Sequence, residues 1–472
     1  MRIIVIGGGI TGLSAAHRLI ELSRERELPL EVVLLEGGER LGGVIATKQI
    51  DGFLVEEGPD SFITTKPWTL ELCHRIGLDS QLIQTNDESR RTFVLHRGSL
   101  VPIPDGFFMI APTRLMPFLT SPLFSWRGKL RMALDLILPR TLKQSDESLA
   151  SFVTRRFGRE ALERVAQPMI SGIYTADPEK LSLRATMPRF LEMEERYGSI
   201  IRAMLREQHT IGQRQSCDIG ARYSLFMSFK DGMQTLVDAL ETHLPEGTVK
   251  LNKRMKSVAI SNGGWSLITD EGERFHADGV IITTPSYHAA RLVEGFDPSL
   301  AEDLSKIQYA SSAVISLAYR REDISHPLDG FGFVVPMIEK RGIIACSFSS
   351  VKFRGRAPEG YALLRCFIGG AIQPEAYEWD DSSMIDRAHK EVSELLQIKS
   401  RPLFTMVHRH PNSMPQYQVG HLEHIARINE KVSKYRGLAL AGSAYSGVGI
   451  PDCVHSGETA AEGVLKAVGY TK

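Results

Sequence analysis

A strand, a glycine turn and a helix follow one another within the first two dozen residues, and few folds accommodate that succession. Residues 1–12 read MRIIVIGGGITG. The run Arg2 to Ile6 is rich in β-branched residues and too short for a helix, so it reads as a buried strand. Gly7, Gly9 and Gly12 then match G-x-G-x-x-G. Gly7 permits the sharp turn, Gly9 lets backbone amides approach a pyrophosphate, and Gly12 lets the helix pack on the strand. The helix expected from Gly12 to Arg24 aims its N-terminus, with Ile10 and Thr11, at the phosphates, where free N–H groups and the dipole favour anions. A second strand, Glu31 to Leu35, ends at Glu36, 24 residues after Gly12. An acid there accepts hydrogen bonds from ribose hydroxyls and repels a 2′-phosphate. The chain therefore opens as a dinucleotide-binding unit.

At 472 residues the chain exceeds one simple core, and two or three domains are expected. Its 56 basic and 56 acidic residues balance, which argues against a polyanion binder, and no nucleic-acid partner is expected. The cysteines Cys73, Cys217, Cys346, Cys366 and Cys453 are scattered, with no CxxC pair. They read as reduced thiols of a cytoplasmic protein. His408 and His410 share one strand face, but the sequence shows no carboxylate beside them, and no metal is expected. The chain starts directly on its first strand, so no leader is expected. No apolar run of about 18 residues suggests a membrane span. A monotopic contact with the inner membrane face stays open.

Further along, Lys250–Ile260, Trp265–Thr269 and Gly279–Pro285 read as three strands, with a hairpin turn at Asn262-Gly263-Gly264. Prolines 102, 104, 112, 117 and 122 punctuate the start of a stretch with helical pieces at Leu130–Leu138, Ser148–Phe157 and Arg159–Gln167. Gly330–Val335 and Tyr361–Phe367 are the clearest later strands.

The segment Glu36-x-x-x-Arg40-x-Gly42-Gly43 places an arginine able to pair with phosphate beside two permissive glycines. Residues 442–457 read GSAYSGVGIPDCVHSG and close the chain with a glycine-rich turn before a helix. Together these patterns resemble the flavin amine oxidase superfamily, which includes monoamine oxidases, phytoene desaturases and protoporphyrinogen oxidases. The resemblance implies one FAD per chain, held non-covalently. It implies a mixed α/β fold like that of the monoamine oxidase-like flavoproteins, with a discontinuous Rossmann-like FAD domain over 1–48, 215–285 and 408–472. A sheet-based substrate domain would cover 49–92 and 286–407, and a mostly helical insertion 93–214. Gly442, Val448, Gly449 and Ile450 would lie at the flavin, Val258 on the adenine side and Thr283 near the cofactor. A helix N-terminus at the flavin would stabilise the negative charge of its reduced form.

Four more runs narrow the likeness: Glu57-Gly58-Pro59-Asp60-Ser61-Phe62, Ser171-Gly172-Ile173-Tyr174-Thr175-Ala176-Asp177-Pro178, Met414-Pro415-Gln416-Tyr417 and Gly447-Val448-Gly449-Ile450-Pro451-Asp452-Cys453. They resemble oxygen-dependent protoporphyrinogen oxidases, above all those of Gram-positive bacteria, several of which act on coproporphyrinogen III. The resemblance adds Gly58, Pro59, Asp60, Ser61 and His410 to the cofactor contacts. It makes Lys66, Arg97, Gly172, Tyr174, Thr175, Ala176 and Phe331 candidates for a porphyrinogen slot, with the cations at its rim for propionates. Three departures stand out. Thr175-Ala176 is bulkier than the family's usual small pair, His410 stands where the family often has Trp, and no motif locates the lysine that monoamine oxidases hold over flavin N5.

The expected function is removal of six electrons from protoporphyrinogen IX or coproporphyrinogen III, with dioxygen as acceptor and hydrogen peroxide as by-product, in haem biosynthesis. The cofactor carries the redox chemistry, so no side chain is assigned as an essential base. Product hand-over to the next haem-pathway enzyme is compatible with this reading, and the oligomeric state is left unassigned. Another oxidase or desaturase of the superfamily is the alternative enzyme, and a flavin-binding protein without turnover the alternative class.

Overall fold

The computed structural model describes every residue except 87–90, 105–106, 109–110, 113, 142–144, 207–224, 262 and 470–472. Cys217, Asn262 and residues 215–224 of the expected FAD domain lie outside the described residues. A five-stranded parallel sheet forms the base, in the order Val249–Lys250, Glu31–Leu35, Arg2–Ile6, Gly279–Ile282 and Leu438–Leu440. The opening strand is central because it is apolar on both faces, and four of its five residues are buried. Ile3, Val5 and Leu34 pack under the first helix (Ile10–Glu25) and the last helix (Ile450–Ala467). Ile4, Ile6 and Val33 pack on the opposite side with Trp265 and Leu292.

A second sheet of seven strands runs in the order Phe404–Pro415, Tyr309–Arg320, Tyr361–Gly369, Ala345–Phe348, Gly332–Val334, Thr92–His96 and Ser99–Pro102. Two boundaries expected from sequence cut through it. Thr92–His96 pairs with Gly332–Val334, so the sheet continues past 92. The limit at 408 falls inside strand Phe404–Pro415. Neither position carries a break in composition, since the first lies at the start of one strand and the second inside another.

Other expectations shift for local reasons. Lys250–Ile260 is not one strand. Val249–Lys250 ends the parallel sheet, Asn252 turns with φ +57°, and Met255–Ser261 begins a separate three-stranded antiparallel sheet. The helical pieces also differ in extent. Helix Trp126–Ala133 starts earlier than expected, because Ser125 caps it by accepting from the Gly128 N–H. The helix opened at Arg159 does not stop before Pro168. A π-helical turn, Leu162–Ala166, widens the winding, and the chain continues as helix Gln167–Tyr174. Proline lacks the N–H an α-helix needs there, and the wider turn absorbs the mismatch.

Candidate functional site

Two chain segments stitch the nucleotide turn. The Gly42 N–H donates to the Gly8 carbonyl at 2.8 Å, and Gly9 and Gly42 form a parallel bridge. Glu36 fixes the turn from below, accepting from the Gly8 N–H at 2.6 Å and from the Gly38 N–H at 2.7 Å. Thr283, one residue past strand Gly279–Ile282, donates its hydroxyl to the Ile6 and Gly7 carbonyls at 2.9 and 3.0 Å. Arg40 lies on its own loop, donating to the carbonyls of Leu41, Ile45 and Gly43. It shapes the bend that carries Gly42 and Gly43, whose φ angles are +100° and +60°.

The glycines differ in what they make room for. A Cβ on Gly12 would lie 1.9 Å from the Gly7 carbonyl oxygen, so that glycine serves strand–helix packing. A Cβ on Gly9 would meet nothing within 4 Å. Gly9 therefore faces open space at the uncapped N-terminus of the first helix. That open cradle, with free N–H groups behind it, fits a pyrophosphate.

The closing segment reaches the same place. A Cβ on Gly457 would strike the Thr11 carbonyl at 2.3 Å, so the first and last helices pack backbone to backbone. The Gly442 N–H donates to Ser456 Oγ at 3.0 Å. Gly449 is the N-cap of the last helix and, like Gly9, offers no side-chain cap. The last helix thus passes beside the N-terminus of the first, and the N-terminus of each helix favours negative charge. Cys453 is buried there, and burial pushes its thiol up to about 12. Val258, by contrast, is enclosed in the core on the far face of the parallel sheet.

Gly58 to Ser61 lead from the cradle to a largely buried ionic cluster whose basic members, Lys352 and Arg365, no motif marked. A Cβ on Gly58 would overlap the Val44 carbonyl. Gly58 accepts a 2.5 Å bond from the buried Arg365, and Pro59 follows. Asp60 accepts from Lys352 Nζ at 2.8 and 3.0 Å, and Arg365 Nη1 stands 3.4 Å away. Burial alone would raise the Asp60 carboxyl; the Lys352 and Arg365 charges outweigh it and hold the group well below the usual carboxylate range. Ser61 donates to Asp60 and accepts from Lys352. Nearby, Glu56 and Arg356 form a second buried pair at 3.8 Å.

His410 hydrogen-bonds the Glu57 carbonyl through Nε2 at 2.9 Å, and burial lowers its pKa. The rings of His408 and His410 lie 4.6 Å apart, on one face of their strand as expected. The expectation of no carboxylate beside them is corrected by the fold, which brings Glu57 Oε2 to 3.5 Å from His408. No metal-holding cluster occurs among the described residues.

The candidate substrate residues divide into two groups. Tyr174, at the end of helix Gln167–Tyr174, and Val448 pack on the same helical core. Lys66 donates to Asp452 in the first turn of the last helix at 2.6 Å. Gly172 faces Val334, 3.6 Å from where its Cβ would be. Thr175 caps the helix in the left-handed region, φ +48°, and Ala176 is buried in the helical core. Arg97 and Phe331 are held at strand ends by their own backbones, Arg97 to Glu339 and Phe331 to Arg91 and Phe348. A cavity of about 270 Å³ opens between Ala176, Gly370 and Tyr417. Asp177 and Glu378 line it against Lys180, which does not suit a ligand rich in carboxylates.

Comparison with known proteins extends these observations over the whole chain. Residues 10–465 match the family described as flavin containing amine oxidoreductase. Coproporphyrinogen III oxidase of Bacillus subtilis is 35% identical over 98% of this chain and 97% of its own. Coproporphyrinogen III oxidase of Staphylococcus aureus is 33% identical over 98% of both chains. A solved structure from Exiguobacterium sp. 255-15, named "Putative protoporphyrinogen oxidase", superposes with a TM-score of 0.85 at 32% identity, covering 98% of this chain and 99% of that one.

Proposed function

Since the chain belongs to the flavin containing amine oxidoreductase family, we propose that it is an FAD-dependent porphyrinogen oxidase of haem biosynthesis. It takes coproporphyrinogen III, protoporphyrinogen IX or both to the porphyrin with dioxygen as acceptor. The observation that carries this reading is full-length likeness to coproporphyrinogen III oxidases in a chain whose last helix packs on the glycine turn that opens it.

The residues present fit FAD. Gly9 and the first helix take the pyrophosphate. Glu36 keeps acceptor capacity for a ribose beyond its bonds to Gly8 and Gly38. Gly449 and Ile450 would hold the flavin ring, and Gly58–Ser61 and His410 would be further contacts. Non-covalent attachment is in keeping with the Cys453 thiol, which burial raises to about 12 and so makes a poor nucleophile. When bound, the flavin supplies a two-electron acceptor that dioxygen recharges, so three turns remove six electrons. The chain's part is to bind, orient and screen. The helix N-termini hold negative charge, and the Asp60–Lys352–Arg365 cluster keeps Gly58 rigid beside the cofactor. Tyr174 and Val448 supply an apolar wall for a pyrrole ring.

We also propose peripheral contact with an anionic membrane surface through helices Leu115–Thr120 and Trp126–Ala133 and the turn after them. Met116, Trp126, Leu130 and Ile137 are 71%, 69%, 68% and 77% exposed. Arg114, Arg127 and Arg140 are exposed beside them. Apolar residues interleaved with cations suit such a surface. No helix among the described residues is long and apolar enough to cross a membrane.

The reading is tested by purifying the protein, recording its flavin spectrum and assaying porphyrinogens, amines and carotenes in parallel. Porphyrin fluorescence from a porphyrinogen alone supports it. Turnover of an amine or a carotene, with none of either porphyrinogen, overturns it.

A further inference from the structure

The last helix carries a carboxylate at its positive end. Asp452 is the third residue of helix Ile450–Ala467 and is 8% exposed. Its carboxylate folds back beneath the glycine turn. A Cβ on Gly449 would meet Asp452 Oδ2 at 3.0 Å, and one on Gly447 would overlap the carboxyl carbon. The charge is felt around it. Burial, then the Asp452 charge, raises the Tyr174 phenol. Burial leads and Asp452 contributes at Tyr417 as well.

One cation answers this carboxylate among the described residues. Lys66 Nζ sits 2.6 Å from Asp452 Oδ1, and the lysine side chain is 44% exposed. Lys66 is thus already engaged before any substrate arrives. An unpaired carboxylate in the first turn would offset the partial positive charge of the helix terminus, about half an elementary charge. It would then oppose the negative charge that reduction places on the cofactor.

We propose that Lys66 is a positioning residue acting through Asp452: it neutralises the carboxylate and keeps the last helix's positive end facing the flavin, which raises the flavin's midpoint potential. The inference rests on the reading that Gly449 and Ile450 lie against the flavin. It differs from a propionate-binding role, in which Lys66 would touch the substrate and leave the free cofactor unchanged.

The test is the midpoint potential of the flavin in full-length holoenzyme, with no porphyrinogen present. Five proteins are compared: the natural one, Lys66→Met, Lys66→Arg, Asp452→Asn and the Lys66→Met, Asp452→Asn double variant. Flavin content and Tm are recorded for each. Lys66→Met is expected to shift the reduction equilibrium at least tenfold toward oxidised flavin, about 30 mV for a two-electron couple. Asp452→Asn is expected to shift it the opposite way, and the double variant to return close to the natural value. Lys66→Arg keeps the charge and should keep the potential. Because Lys66 is half exposed, its variants report even if Asp452→Asn folds poorly. An unchanged potential in Lys66→Met at full flavin content overturns the inference. So does a raised KM for coproporphyrinogen III with the potential unmoved, which would return Lys66 to substrate binding. Neither result touches the oxidase reading, which fails only if the natural protein turns over no porphyrinogen.

Discussion

Lys352 and Asp60 stand 292 residues apart in the chain and meet through two hydrogen bonds of 2.8 and 3.0 Å. Both side chains are about one-sixth exposed. The pair ties the short helix Ser349–Lys352, which follows strand Ala345–Phe348, to the Gly58–Ser61 segment. Lys352→Met leaves Asp60 with Arg365 as its one cation, beside the Ser61 hydroxyl. The expected cost is about 2 kcal/mol of unfolding free energy, below the roughly 3–5 kcal/mol of a fully buried pair broken on one side. The urea midpoint of flavin-free protein measures it, and a change equivalent to less than about 0.5 kcal/mol, the range of ordinary surface changes, would contradict the role given to the pair.

Gly9 and Gly12 should separate binding from folding. Gly9→Val puts its side chain into open space on extended backbone, φ −70° and ψ 177°. The flavin-free protein should keep its Tm, while flavin occupancy falls more than about tenfold because the pyrophosphate can no longer approach. Gly12→Ala drives a carbon into the Gly7 carbonyl and should lower Tm and occupancy together. Full flavin retention in Gly9→Val would move the cofactor away from this turn.

The opening motif is legible because each glycine answers a local backbone demand that sequence spacing exposes. The ionic cluster is not. Asp60 lies in a recognisable run, but Lys352 and Arg365 are ordinary charges in sequence, and only the fold brings the short helix Ser349–Lys352 and strand Tyr361–Gly369 to it. Glu57 beside His408 escapes a sequence reading for the same reason. The break of Lys250–Ile260 turns on one residue, Asn252, whose left-handed backbone a strand-like composition hides. The continuous helix through Pro168 depends on a π-turn that no periodicity announces. Lys66 reads in sequence as a rim cation; its pairing with Asp452 needs the fold.

Stability should fall on mild acidification. His421 stacks on Tyr417 with ring centroids 3.9 Å apart, and burial pushes it from 6.5 down to about 4. Between those values the unfolded chain holds a proton that the folded chain does not. Stability from this group is therefore complete above about 6.5 and is lost as pH falls toward 4. A tenfold difference in proton affinity between the folded and unfolded chain corresponds to about 1.4 kcal/mol. Thermal scans of flavin-free protein at pH 7 and pH 5 should show a smaller loss in His421→Gln than in the natural chain. Equal losses would remove His421 from the explanation.

The exposed apolar helices predict selective binding to vesicles. Phosphatidylglycerol-rich vesicles should sediment the protein and blue-shift Trp126 emission, and phosphatidylcholine vesicles should do so far less. A Trp126→Ser, Leu130→Ser, Ile137→Ser variant should lose binding while retaining flavin. Undiminished sedimentation of that variant would place the contact elsewhere.

The most direct measurement mixes the purified, flavin-loaded protein with coproporphyrinogen III under nitrogen and follows the flavin absorption. The account predicts that the absorption bleaches under nitrogen with at most one porphyrin formed per three flavins reduced, and that admitting air restores the absorption with release of hydrogen peroxide and lets porphyrin fluorescence rise to completion. Flavin absorption that stays unchanged under an excess of both coproporphyrinogen III and protoporphyrinogen IX would contradict the proposed function.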